Sequence, residues 1–329
     1  MSTTSASAPL SSGRHFADRL GDRLLLGVTA CASLVTIALI VLIIVKLFSG
    51  ASVSISHFGL GFLWNTIWNP AQSVGVAHPD TFGAGVLIYG TVVSSLIALL
   101  IAVPLGVAIG VFLSLLASRR ATAVIGPLVE LLAAIPSVIL GFWGIIVLAP
   151  FLRSTVEPAL HDVLGFIPLF GSASATGLGL FTAGVVLAIM VLPIIASISR
   201  DLFATVPPEL KDGALALGAT RWEMIRAVVL DSTRAGLASA TILGLSRALG
   251  EAIAVTQCIG AGNAIVTSLF TPSDTLASRI AENFPTAGGT GLWHSSLFYC
   301  AVVLLVMELI VNLVAQLIVR RSQLPAGIR

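Results

Sequence analysis

The chain has 329 residues, of which 57% are hydrophobic and only 10% charged, with a mean hydropathy of +1.04 and a formal net charge of +2. Soluble domains carry about 25% charged residues, so the composition excludes a soluble globular protein: no single core of this size hides so much apolar surface, and lipid must cover part of it. Cys31, Cys258 and Cys300 all lie in apolar runs, which argues against a disulfide framework and suits cysteine as a small apolar filler.

Residues 1–23 open with the polar, low-complexity stretch MSTTSASAPLSSG, followed by Arg14, Arg19 and Arg23. They read as a disordered basic tail. Leu24 to Val45 then carries no charge over 22 residues. That is too long for the apolar part of a signal peptide and long enough to cross about 30 Å of hydrocarbon, so 24–48 is expected as a retained first helix. Residues 49–83 follow as an external interfacial segment, in which Phe58, Phe62, Trp64 and Trp68 suit a membrane–water boundary. The remaining transmembrane part, 84–320, holds apolar stretches at 84–116, 123–149, 177–199, 236–260 and 295–319, and 321–329 is a second tail. Backbone in hydrocarbon must satisfy its own hydrogen bonds, so runs of this length are helices. The expected fold is an all-α integral membrane protein of about six spans.

Six spans put both termini on one side, and Lys and Arg choose which. Thirteen of the seventeen basic residues fall in the N-terminal tail, the 117–122 turn, the 200–235 segment and the C-terminal tail. The opposite loops hold Arg153 and Arg279, with Lys46 at a helix end. Both termini are expected to be cytoplasmic. Pro104, Pro136 and Pro193 lie inside expected spans and should kink them. Gly106 and Gly110 form a GxxxG that permits close helix approach, a weak signal in a chain this rich in glycine. Residues 150–176 and 261–294 are Gly-, Ser-, Thr- and Pro-rich and read as loops or short re-entrant helices.

The segment 200–235 is too charged for lipid and too patterned for a slack loop. Pro207 and Pro208 suit a helix start, and Glu209 favours the first turn through the helix dipole. That helix runs through Asp212 and Ala214 to Leu217, and Gly218 is a natural stop. Thr220 and Glu223 have capping-box spacing, so a second helix starts near Arg221 and continues through Trp222 and Ile225. The bland reading is an interfacial elbow. The functional one is a docking element, because a rigid two-helix knob transmits a push.

The segment resembles the coupling element of ABC importer permeases, whose pattern is Glu-Ala-Ala, three residues, Gly, nine residues, then Ile-x-Leu-Pro. Here the chain reads Asp212-Gly213-Ala214, Gly218, then Val228-x-Leu230-Asp231. The resemblance spans about residues 80–320 and is strongest to the phosphate-specific importer permeases of PstC type. It is carried by FGAGVLIYGTVVSSLIALLIAVPLGV (82–107), LVELLAAIPSVILGFWG (128–144), AIMVLPIIASISRDLFATVP (188–207) and LGLSRALGEAIAV (243–255). It implies the type I ABC importer permease fold (MetI-like) in a bacterial inner membrane. It also implies a heterodimer with a second, PstA-like permease, two ATP-binding subunits and an external phosphate-binding protein. Glu209, Asp212, Ala214, Gly218, Thr220, Trp222 and Glu223 would then face the ATPase.

Four ionisable residues fall within the expected spans: Glu130, Arg247, Glu251 and Glu308. Each costs about 2.5–3.5 kcal/mol or more at the centre of a span and calls for a reason. A fifth helix entering near 236 would put Arg247 roughly 17 Å deep, with Glu251 four residues on and on the same face. Either the two form a salt bridge, or Arg247 offers forked donors to a passing oxyanion while Glu251 orients it and keeps binding weak. The resemblance favours the second, since this Arg and Glu match family residues needed for transport. Glu130, with Ser137 after the Pro136 kink, is a candidate for the substrate pathway, through gating or helix contact. Glu308 and Asn312 share a face suited to interhelical bonding.

A nucleotide-binding P-loop requires a Lys after its glycines, and neither Lys46 nor Lys211 follows such a loop, so ATP would bind another chain. The five histidines are scattered, and no metal set, cofactor motif, nucleophile–base pair or nucleic-acid signature stands out. The leading reading is a phosphate importer permease rather than an enzyme. The others are an ABC permease for sulfate or molybdate, an ATP-independent carrier, which would call for inverted repeats, and a membrane scaffold.

Overall fold

The structure is a computed structural model that describes residues 16–70, 81–172, 174–265, 267–289 and 291–323. Arg14, Pro79, most of the N-terminal tail and residues 324–329 of the C-terminal tail lie outside them. The chain divides into two units, 1–49 and 50–329. The first consists, as far as described, of most of α1 (Phe16–Phe58), a helix of 43 residues. It starts before and ends after the expected 24–48, because nothing in the flanking sequence breaks a helix until Gly59, which has φ +53°.

The second unit contains α2 (Gly85–Leu116), α3 (Arg119–Ala133), α4 (Ser137–Leu164), α5 (Leu180–Thr205), α6 (Pro208–Ala216), α7 (Arg221–Gly250), α8 (Ile253–Ile259), α9 (Leu276–Asn283) and α10 (Leu292–Gln323). With α1, the helices α2, α4, α5, α7 and α10 are long and apolar enough to cross a membrane. Six spans were expected, and six are found among the described residues.

The core lies where α2, α4, α5 and α8 meet, around Ala98, Leu140, Leu187, Val191, Val255 and Cys258. The GxxxG glycines of α2 make its closest approach. A Cβ on Gly106 would stand 2.8 Å from Ile195 Cγ2, and one on Gly110 would stand 2.7 Å from Ser199 Cβ, both on α5. Pro104 and Pro193 remain inside their helices.

The third span differs from expectation. It was expected at 123–149 with Pro136 kinking it. Instead the chain breaks there: Ala134 closes α3, Pro136 is extended at ψ 138°, and α4 starts at Ser137. Proline lacks the N–H that a continuing helix needs and forces the preceding residue out of the helical region. The membrane-crossing helix is therefore 137–164, running through half of the stretch read as a loop, and Glu130 lies on a separate helix.

The fifth span also differs, beginning fifteen residues before the expected 236. The hairpin is as the sequence suggests: Pro207 and Pro208 open α6, Gly218 takes φ +89° after it, and Thr220 and Glu223 form a complete capping box. The helix that this box starts does not stop, however. It widens to π geometry at Ile225–Leu230 and continues to Gly250. Phe203, Val206, Met224, Ile225 and Val229 form a small core beneath the hairpin, on which Ala214 packs.

At the other end, Trp68 and Arg279 bring the described residues around 58–70 and 81–85 against the segment 274–279. The aromatics read as interfacial divide: Phe62 stacks on Tyr299 at 4.3 Å and Trp68 is buried edge-on to Phe82, while Trp64 is exposed. Asp274 and Arg279 form a buried ion pair of 2.6 Å, and the guanidinium carbon lies 5.5 Å from the Trp68 ring centre. Asp274 also accepts from Thr275 N and from the Ser278 hydroxyl, and Arg279 donates to Asn263. Leu276 N donates to Thr91 Oγ1 of α2 at 3.0 Å. Burial pushes the Asp274 carboxyl above its ordinary pKa, while the guanidinium opposes that.

Breaking one side of a buried pair costs about 3–5 kcal/mol, whereas replacing both by apolar groups is close to neutral. Arg279→Met should therefore lower the thermal midpoint in detergent sharply, and Arg279→Met with Asp274→Leu should restore most of it. Thr220→Ala should remove about 1 kcal/mol of capping, seen as faster amide exchange at Trp222 and Glu223, while Thr220→Ser should leave exchange unchanged.

Candidate functional site

The site forms where α7 ends. Gly250 is its last residue, Glu251 is extended at φ −74° and ψ 120°, and α8 restarts at Ile253. Glycine is a poor helix former, and a carboxylate two residues before a new helix finds that helix's free amides. Glu251 Oε1 accordingly lies 3.5 Å from Ala254 N. This corrects the expectation that Arg247 and Glu251 share one helix face. They stand on either side of a helix break, and no ion pair joins them.

Both residues line a cavity of about 530 Å³, together with Ile194, Leu243, Ser246 and Gly250. Arg247 is exposed and has no hydrogen bond or ion pair among the described residues. Ser239, Leu243, Arg247 and Gly250, at helical spacing, form an open face of α7. A guanidinium facing hydrocarbon is costly, and charged groups within spans face water-filled cavities or protein. On this face of α7 Arg247 holds its donors free among the described residues.

Glu308 completes the group. Its Oε1 lies 3.1 Å from where a Cβ on Gly250 would be. Asn312, one turn further along α10, accepts from the Ser246 hydroxyl at 3.0 Å, which is the interhelical bond expected of that face. Sequence reading paired Glu308 with Asn312 but did not bring either to Arg247. The adjacency of Ser246 and Arg247 was the available signal, and it needed the register of α7 on α10.

Glu130 is elsewhere. It accepts from Arg200 Nη1 at 2.9 Å, with its own side chain about half exposed, and Arg200 also pairs with Asp201 at 3.0 Å. The ion pair ties α3 to the end of α5, which is the helix-contact alternative. Ser137 is the first residue of α4. Gly141 of α4 lies against Ala254 and Gln257 of α8, and Gly144 lies against Cys258. This parallel register puts Ser137 level with the α7–α8 break but not in the cavity lining.

In the hairpin, Glu209, Asp212, Gly218, Thr220, Trp222 and Glu223 are exposed and Ala214 is half-buried. Leu210, Leu217 and Trp222 form an apolar outer surface, with Leu217 92% exposed. Lys211 Nζ donates to Phe203 O at 3.1 Å and fixes the hairpin on α5. Among the described residues no cluster of His, Cys, Asp and Glu is arranged to hold a metal.

The family described as binding-protein-dependent transport system inner membrane component matches residues 102–323. The phosphate transport system permease protein PstC of Haemophilus influenzae is 41% identical, covering 91% of this chain and 93% of its own. Its counterpart in Mesorhizobium japonicum is 42% identical, covering 95% and 94%. Among solved structures, a bacterial alginate ABC transporter bound to its periplasmic protein gives a TM-score of 0.60 at 16% identity, covering 94% of this chain and 98% of that one. The inward-facing MetNI methionine ABC transporter gives 0.51 at 20% identity, covering 73% and 94%. These two show the fold, that of type I ABC importer permeases. On the family match and the identity to its relatives along nearly the whole chain, the protein belongs to the binding-protein-dependent transport system inner membrane components and, within them, to the PstC permeases.

Proposed function

We propose that the chain is the membrane permease subunit of an ATP-driven importer of inorganic phosphate and forms half of its translocation pathway. The observation that carries this reading is Arg247, unpaired on the open face of a membrane helix and beside a cavity. A planar cation with free forked donors suits a tetrahedral oxyanion. The relatives with the same segment are named as phosphate transport permeases. Glu251 and Glu308 oppose tight binding near Arg247, and conduction requires sites that release what they accept.

The open face of α7 supports a second, PstA-like permease across the path. The exposed hairpin around Glu209, Asp212, Gly218, Thr220, Trp222 and Glu223, with Ala214 beneath it, supports docking of an ATPase subunit, two per transporter, which would hydrolyse the ATP. An external phosphate-binding protein would deliver the anion at the end that carries Trp68, Asp274 and Arg279. The distribution of Arg and Lys supports a bacterial inner-membrane protein with both termini cytoplasmic.

The test is reconstitution with the second permease, the ATPase and the binding protein in liposomes, following labelled phosphate and sulfate with and without ATP. Phosphate uptake that requires ATP is the expected result. Uptake of sulfate alone, or uptake without ATP, would overturn the reading. Arg247→Gln should assemble normally and lose roughly 10- to 100-fold in uptake, the worth of a hydrogen bond to a charged group.

A further inference from the structure

A second cavity, of about 360 Å³, lies between α7 and α10 and is lined by Ser239, Ile242, Leu243, Ser246, Asn312, Gln316 and Val319. It shares Leu243 and Ser246 with the Arg247 cavity, so the two adjoin. The helices here are antiparallel: Gly250 lies beside Glu308, Ser246 beside Asn312, and Ser239 opposite Val319. From Arg247 the cleft therefore runs along α7 towards Asp231 and the hairpin, and Ser239 is about 12 Å along it.

Its polar groups are neutral. The Asn312 carbonyl oxygen takes the Ser246 hydroxyl, which leaves the amide N–H groups of Asn312 as donors. Among the described residues the Gln316 carboxamide has no partner and is exposed. Among the described residues no acid lines this cleft. Unsatisfied amides facing hydrocarbon would each cost several kcal/mol, and they continue the open face on which Arg247 stands.

We propose that this cleft is a second station for the anion, in which Asn312 and Gln316 donate hydrogen bonds to oxyanion oxygens after release from Arg247, on the side of the hairpin. The proposal rests on the permease reading given above. Amide donors without a formal charge hold an oxyanion more weakly than a guanidinium. A weak site following a strong one lets the anion move on, as multi-site conduction requires.

The experiment uses the complete reconstituted transporter and measures phosphate uptake and binding-protein-stimulated ATP hydrolysis side by side. Gln316→Leu and Asn312→Leu should each lower uptake about tenfold, with hydrolysis and co-purification of the second permease unchanged. Gln316→Asn and Asn312→Gln, which keep an amide, should retain most of the uptake. Normal uptake in both leucine variants would overturn the proposal. So would joint loss of uptake, hydrolysis and the second permease, which would make the cleft a packing surface. Arg247→Gln is run in parallel: normal uptake there, with loss in the leucine variants, would remove Arg247 from the path and leave the cleft as the anion's site.

Discussion

An unpaired guanidinium does not tolerate hydrocarbon, and that intolerance organises this protein. Arg247 sits on a helix that crosses the membrane, so the face that carries it must meet water or protein. The other polar groups of the same region follow it: Ser246 and Asn312 bonded across α7 and α10, Glu308 against Gly250, and Glu251 at the start of α8. The apolar core of the unit lies around Val186, Leu187 and Cys258, and Ala248, beside Arg247 on α7, belongs to it.

The two breaks in the spans have one physical logic. A continuous helix satisfies its own backbone and offers nothing to a solute. Interruption frees amides and carbonyls, and the membrane permits this only where protein or a water-filled space receives them. The chain breaks before Ser137 and after Gly250, and parallel packing of α4 on α8 brings the two breaks to one level. Ala134, Pro136 and Gly250 are exposed at that level, so the freed backbone there needs water or protein beyond this chain to receive it.

Much of this was legible in the sequence. Hydropathy gave the number of spans, because a window of about twenty apolar residues has few other uses. The capping box at Thr220, the stop at Gly218 and the close approach at Gly106 and Gly110 are local and were readable as such. The breaks were not, because hydropathy averages over a window and sees the composition of 123–149 rather than the direction of the chain at Pro136. Glu130 was misplaced for that reason. Asp274 and Arg279 were opaque for another: in sequence they are two charges in a polar loop, and only the folding of Trp68 and Asn263 around them makes a buried pair. The Arg247 region was half legible: Arg247 and Glu251 line one cavity, while the shared helix face was wrong.

The uninterrupted run of α7 carries a mechanical corollary. At 1.5 Å per residue, 30 residues make a rod of about 45 Å, capped at one end by Thr220 and ending at Gly250. Its π-wound stretch at Ile225–Leu230 is the one place where the winding departs from regularity, and such stretches often mark points of bending. Arg247 lies some 28 Å beyond that pivot, so rocking by about 5° would sweep the guanidinium through about 2.5 Å. That is comparable to the length of one hydrogen bond, enough to exchange a made contact for a lost one with the bending confined to the π-wound stretch.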